Sequence, residues 1–119
     1  MTTTKTKIRF GIVGTGGIAN THAAGLAALA DDAELVACCD VVPERVANFG
    51  ERWGVRHHYD SARAMLDAGQ IDVVCVCTPH PQHADALVLG AERGVHGVVE
   101  KPLAASLADA DRVLEAAAC

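Results

Sequence analysis

Short apolar runs separated by helical patterns recur along the whole chain, and this alternation restricts the fold more than any other feature. "IRFGIVG" from Ile8, "ELVACCD" from Glu34, "HHY" from His57, "IDVVCVCTP" from Ile71 and "VHGVVE" from Val95 read as five strands. The run from Ile71 is almost continuously apolar, as a central strand covered on both faces requires. Ile18, His22, Leu26 and Leu29 mark one face of a first helix that ends near Ala30. Pro43 opens a second helix with Val46, Phe49, Gly50 and Trp53 on one face. Ser61 caps a short third helix and Gly69 closes it. A fourth helix spans Gln82 to Arg93 with Ala84, Leu87, Val88 and Ala91 as its inner stripe. Ser106 caps a fifth, striped by Leu107, Ala110, Leu114 and Ala117. Strands alternating with helices predict the α/β class, here a Rossmann-type doubly wound parallel sheet in the order 3-2-1-4-5 with five helices. The sixth strand of a complete dinucleotide fold has no counterpart, which leaves the outer edge of strand five unpaired and open to self-association. Residues 1–7 read as a flexible arm and residues 8–119 as one domain.

The turn after the first strand carries chemistry. "GIVGTGGIAN" places Gly14, Gly16 and Ala19 in the G-x-G-x-x-G/A spacing, with Thr15, Gly17 and Ile18 between them. The first glycine permits a tight turn, and the second lets backbone N–H groups approach a pyrophosphate. The third small residue lets the helix pack closely on the strand. The helix start adds oriented donors and partial positive charge. Asp40 closes strand two about 20 residues further on, where an acid binds the adenosine ribose hydroxyls. A carboxylate there repels a 2′-phosphate, which favours NAD over NADP. Arg45 lies close enough in sequence to soften that preference.

"CTPHPQHADAL" follows strand four, whose carboxyl end borders the same crevice, so Thr78, Pro79 and His83 fall near the cofactor. His80 and His83 stand three apart, but local spacing supplies no third ligand and no metal is expected. His57 and His58 read as surface residues and His22 as a packed one. Five cysteines are present. Cys38, Cys39, Cys75 and Cys77 lie within apolar runs and read as buried, reduced thiols. If the two pairs flank one central strand they lie about 9.5 Å apart, beyond the reach of a disulfide. Cys119 is terminal.

Three segments together, "FGIVGTGGIANTH", "DVVCVCTPHPQHADAL" and "GVVEKPLA", resemble the amino-terminal half of the glucose–fructose oxidoreductase / inositol dehydrogenase family, Gfo/Idh/MocA. The likeness runs from Ile8 to the end of the chain. It implies hydride transfer between a nicotinamide cofactor and a hydroxyl-bearing carbon of a sugar, inositol or related polyol. By the same resemblance Lys101 contacts the substrate hydroxyl beside the nicotinamide, and Glu100 and Pro102 shape that turn. A Lys in a partly desolvated crevice can exchange a proton or polarise a hydroxyl, which suits alcohol oxidation. His80 departs from the Asn common at its position. The family's second α/β domain, with most of the substrate pocket and an Asp/His proton acceptor, has no counterpart here. The chain is therefore expected to bind dinucleotide as a fragment with little activity alone. The alternative is a stand-alone NAD(H)-binding sensor or partner module without catalysis. A short-chain dehydrogenase is disfavoured, because Tyr59 is followed at the fourth position by Arg63 instead of Lys.

The remaining composition sets outer limits. Half of the residues are hydrophobic and 21% are charged, which is globular composition. A net charge of -5 gives no footprint for nucleic acid or anionic lipid. The early apolar run stops at the glycines, too short for a signal peptide, and no run is long enough to span a membrane. A cytoplasmic protein is the expectation.

Overall fold

A computed structural model describes residues 6–78, 83–99 and 107–117. Strand β1 spans Ile8–Val13, helix α1 Gly17–Ala28, β2 Ala33–Cys39, α2 Pro43–Trp53 and β3 His57–Tyr59. They are followed by α3 Ala62–Asp67, β4 Val73–Val76, α4 His83–Glu92, β5 His96–Val99 and α5 Leu107–Ala117. The five strands form one parallel sheet in the order β3-β2-β1-β4-β5, as the alternation predicts. β5 ends the sheet and pairs only with β4 among the described residues.

Side chains leave a strand on alternate faces, and the core divides accordingly. Ile12, Cys38, Cys75 and Cys77 share one face with Ala19, Ala23, Val46 and Phe49 of α1 and α2. Val13, Cys39, Val74 and Val76 share the other with Met65 and Leu66 of α3, Leu87 of α4 and Val113 of α5. Both faces are covered, as a parallel sheet requires. β1 lies between the two cysteine pairs, since Ile12 is in register with Cys38 on one side and Cys75 on the other. All four cysteines are buried, and none is in a disulfide.

The caps follow local chemistry. Pro43 begins α2, and Gly54 ends it in the left-handed region with its N–H bonded to the Gly50 carbonyl. The Ser61 hydroxyl accepts the Ala64 N–H at 3.1 Å and so starts α3.

Three helix faces differ from the sequence reading. α1 turns Ala19 and Ala23 to the sheet, while Ile18 and Leu29 are 43% and 56% exposed. Small residues let this helix start close against the strands, and larger ones would hold it off. α4 buries Leu87 of the expected stripe and packs Val88 partly against the core, and it adds Ala86 and Gly90 to the buried face. α5 buries Val113 and leaves Leu114 61% exposed. The Ser106 cap lies outside the described residues. Among them, no helix is long and apolar enough to cross a membrane.

Candidate functional site at the strand-order reversal

β1 continues to β2 on one side and to β4 on the other, so the loops leaving these strands separate and open a crevice. Its volume is about 760 Å³, within the range of small-molecule sites. Gly14, Gly16, Ile18, Asp40, Arg45 and Thr78 line it, which brings together six of the residues singled out in the sequence.

The glycines do two different jobs. Gly14 has φ +87°, and a Cβ there would stand 2.9 Å from the Thr78 nitrogen and 3.0 Å from the Cys77 carbonyl carbon. Its freedom therefore lets the turn run tightly against the end of β4. At Gly16 a Cβ would meet nothing within 4 Å. The fold itself leaves room for a side chain there, so the small residue keeps backbone open toward the crevice. Gly16 is also the N-cap of α1, with no side chain bonding the first N–H groups and no acid in the first turn. Gly16 and Ile18 both line the crevice, so this helix start borders it, and a helix start is where a phosphate binds. Ala19, fully buried, packs the helix onto the sheet beneath.

Asp40 stands where β2 ends. Its Oδ2 accepts the Thr15 backbone N–H and the Thr15 hydroxyl, each at 2.9 Å, and its Oδ1 accepts the Val42 N–H at 2.9 Å. Burial works against its charge, but these three hydrogen bonds and the nearby Arg45 outweigh that effect. The carboxyl is held below its ordinary range. Thr15 is buried and turned toward Asp40, so it shapes the loop and does not line the crevice. The loop is braced from behind as well. Asn20 donates to the Gly16 carbonyl at 3.4 Å and accepts the Trp53 indole N–H at 2.8 Å, tying α1 to α2.

Burial, and next the charge of Asp40, push the Cys38 thiol up to about 12. Burial likewise takes Cys39 to about 12, against the opposing effect of the Gly14 N–H. Both are inert thiols at neutral pH.

Sequence reading missed Val41, Asp60, Ser61 and Asp85, which also line the crevice. They come from the loops after β2 and β3 and from α4, and no local motif marks them. Val41 is 84% exposed at the crevice edge. Pro79, His80, Glu100, Lys101 and Pro102 lie outside the described residues. His83 begins α4.

A glycine turn opening a helix, an acid closing the neighbouring strand, and their meeting at a strand-order reversal define a dinucleotide-binding Rossmann domain. The chain belongs to the Gfo/Idh/MocA family: the family model described as "Oxidoreductase family, NAD-binding Rossmann fold" matches residues 8–119. D-apiose dehydrogenase of Paraburkholderia graminis is 36% identical over 115 residues, covering 97% of this chain and 30% of that protein. Myo-inositol 2-dehydrogenase of Thermotoga maritima is 34% identical over 108 residues, covering 91% of this chain and 32% of that protein. The WlbA dehydrogenase of Bordetella pertussis, solved in complex with NADH and UDP-GlcNAcA, superposes with a TM-score of 0.88 at 37% identity. The match covers 93% of this chain and 33% of that one. The chain thus spans about a third of the length of these relatives.

Proposed function

We propose that this chain is the cofactor-binding part of an NAD-dependent oxidoreductase acting on a hydroxyl-bearing carbon of a sugar, inositol or related polyol. The observation that carries the reading is that Asp40 and Gly16 line one crevice, with Asp40 held beside the uncapped start of α1 by the Thr15 N–H at 2.9 Å. The residues fit the cofactor's parts. The first N–H groups of α1 would hold the pyrophosphate, and the space where a Gly16 Cβ would stand admits it. Asp40, already charged, would accept the ribose hydroxyls, and exposed Val41 would cover the adenine. When bound, the nicotinamide accepts or donates the hydride.

The crevice lining favours NAD over NADP. Among the described lining residues, Asp40 and Asp60 outnumber the base Arg45, and Asp85 is ion-paired with Arg112, so a further phosphate near Asp40 would meet repulsion. Thr78 follows β4 and, with Pro79 and His83, would border the nicotinamide half. Lys101 would contact the substrate hydroxyl and move or share its proton, with Glu100 setting its position. These last roles rest on the family resemblance. Because the relatives are about three times as long, the rest of the polyol site would come from elements outside these 119 residues. Turnover by the chain alone should be slight.

The test is NADH formation from NAD and a panel of polyols, measured for the chain alone and fused to the second domain of a relative. The reading predicts turnover for the fusion, and its loss on Lys101→Ala with NADH affinity unchanged. Undiminished turnover in the Lys101→Ala fusion would remove Lys101 from the chemistry.

A further inference from the structure

Three metal-ligating side chains meet on the sheet face covered by α1 and α2, beside the crevice. Cys75 lies in β4 and Cys77 just beyond it. Being alternate residues, they send both thiols to the same face, and their sulfurs are 3.9 Å apart. His22 comes down from the second turn of α1. Its ring nitrogen and the two sulfurs all lie within 4.8 Å of one another. Both cysteines are buried and His22 is partly exposed.

The thiol pair is poorly placed for a disulfide. Alternate residues of a strand are about 6.6 Å apart with parallel Cβ directions. A disulfide needs Cβ atoms about 3.5–4.5 Å apart and turned toward each other. The same pair suits a tetrahedral ion. Two sulfurs each about 2.3 Å from Zn²⁺ at the tetrahedral angle stand about 3.8 Å apart, close to the observed separation.

Charge selects the ion. A divalent cation with two thiolates and one neutral imidazole is electrically neutral, so it can sit in this apolar face without a buried net charge. A monovalent cation would leave one negative charge there, and magnesium or calcium requires oxygen ligands. We propose that His22, Cys75 and Cys77 form a Zn²⁺ site with water as the fourth ligand, entered from the exposed side of His22. As each sulfur–zinc bond forms, the thiol gives its proton to solvent, and nothing is oxidised or reduced. The ion would tie α1, which carries the phosphate-binding start, to the end of β4. Cys77 itself lines the crevice, so the site adjoins the cofactor without sharing its ligands.

Cobalt(II) titration of the fully reduced 119-residue chain tests the site, because cobalt reports thiolate ligation by charge-transfer absorption and tetrahedral geometry by intense visible bands. The expected result is one cobalt per chain, displaced by zinc. Its thiolate band disappears in Cys75→Ser and in Cys77→Ser and persists in Cys119→Ser. His22→Ala should weaken binding by more than the 10–100-fold that loss of an outer partner typically costs. If the buried serine variants unfold by circular dichroism, X-ray absorption of the zinc-loaded native chain replaces them and should count two sulfurs and one imidazole. No thiolate band from the folded chain, a band that survives Cys75→Ser or depends on Cys119, or a different ligand count would overturn the proposal.

Discussion

Both donors of Thr15, its backbone N–H and its hydroxyl, end on a single oxygen of Asp40, each at 2.9 Å. The acid that faces the crevice thus also fixes the glycine loop, and ribose recognition and loop geometry share one side chain. Replacing it should affect both. Asp40→Ala is expected to lose about 1.5–3 kcal/mol of NADH binding, the range for a hydrogen bond to a charged group. That corresponds to roughly tenfold to hundredfold in affinity, and the preference over NADPH should narrow. Calorimetric titration of both cofactors checks this, and an unchanged NADH affinity would refute the assignment.

Acid should act through the same residue. In the folded chain the Asp40 carboxyl titrates below its ordinary value, so its ionised form favours folding. That contribution is fully present above the unfolded value of about 3.9 and is lost as pH falls through the lower folded value. Asp40→Asn should therefore lose less stability than the native chain across that interval. Denaturant melts at a series of acid pH values measure the difference, and parallel curves would show that Asp40 is not coupled to folding.

Gly14 and Gly16 are neighbours in the motif with opposite expected phenotypes. Gly14→Ala must hold a positive φ, at about 1–2 kcal/mol, and also collides with the backbone at Cys77 and Thr78. A lower Tm is expected. Gly16→Ala meets open space and a permitted φ of -82°, so Tm should hold while NADH affinity falls. Thermal melts paired with titrations separate the two. Equal loss of stability in both would mean that the loop glycines serve packing alone.

The fifth helix docks through Val113. Val113→Ala should cost on the order of 2 kcal/mol by emptying a buried site, whereas Leu114→Ala should stay within about 0.5 kcal/mol. The reverse order in denaturant unfolding would place the wrong face of α5 against the sheet.

The contrast at α5 shows what the sequence conveys and what it withholds. Strand order was legible because the runs beginning at Ile8, Glu34 and Ile71 alternate with helices, and a parallel sheet leaves few ways to arrange them. Gly14, Gly16 and Asp40 were legible because phosphate approach and ribose recognition require those residue types at that spacing. Helix faces were less so. Apolar size nominates Ile18, Leu29 and Leu114, but the close approach of α1 is set by Ala19 and Ala23, and the position of α5 selects Val113. Hydrophobic patterning weighs size, whereas packing at a crevice rewards smallness. The Thr15–Asp40 bonds and the meeting of His22 with Cys75 and Cys77 join separate elements, so no local spacing announces them.

The central claim is that these 119 residues form an NAD-selective dinucleotide crevice, and the direct test is calorimetric titration of the folded chain with NADH and, separately, NADPH. Saturable binding of one NADH per chain, with NADPH at least about tenfold weaker, is the predicted result. Equal affinities, or no NADH binding by a chain whose circular dichroism shows the fold intact, would contradict it.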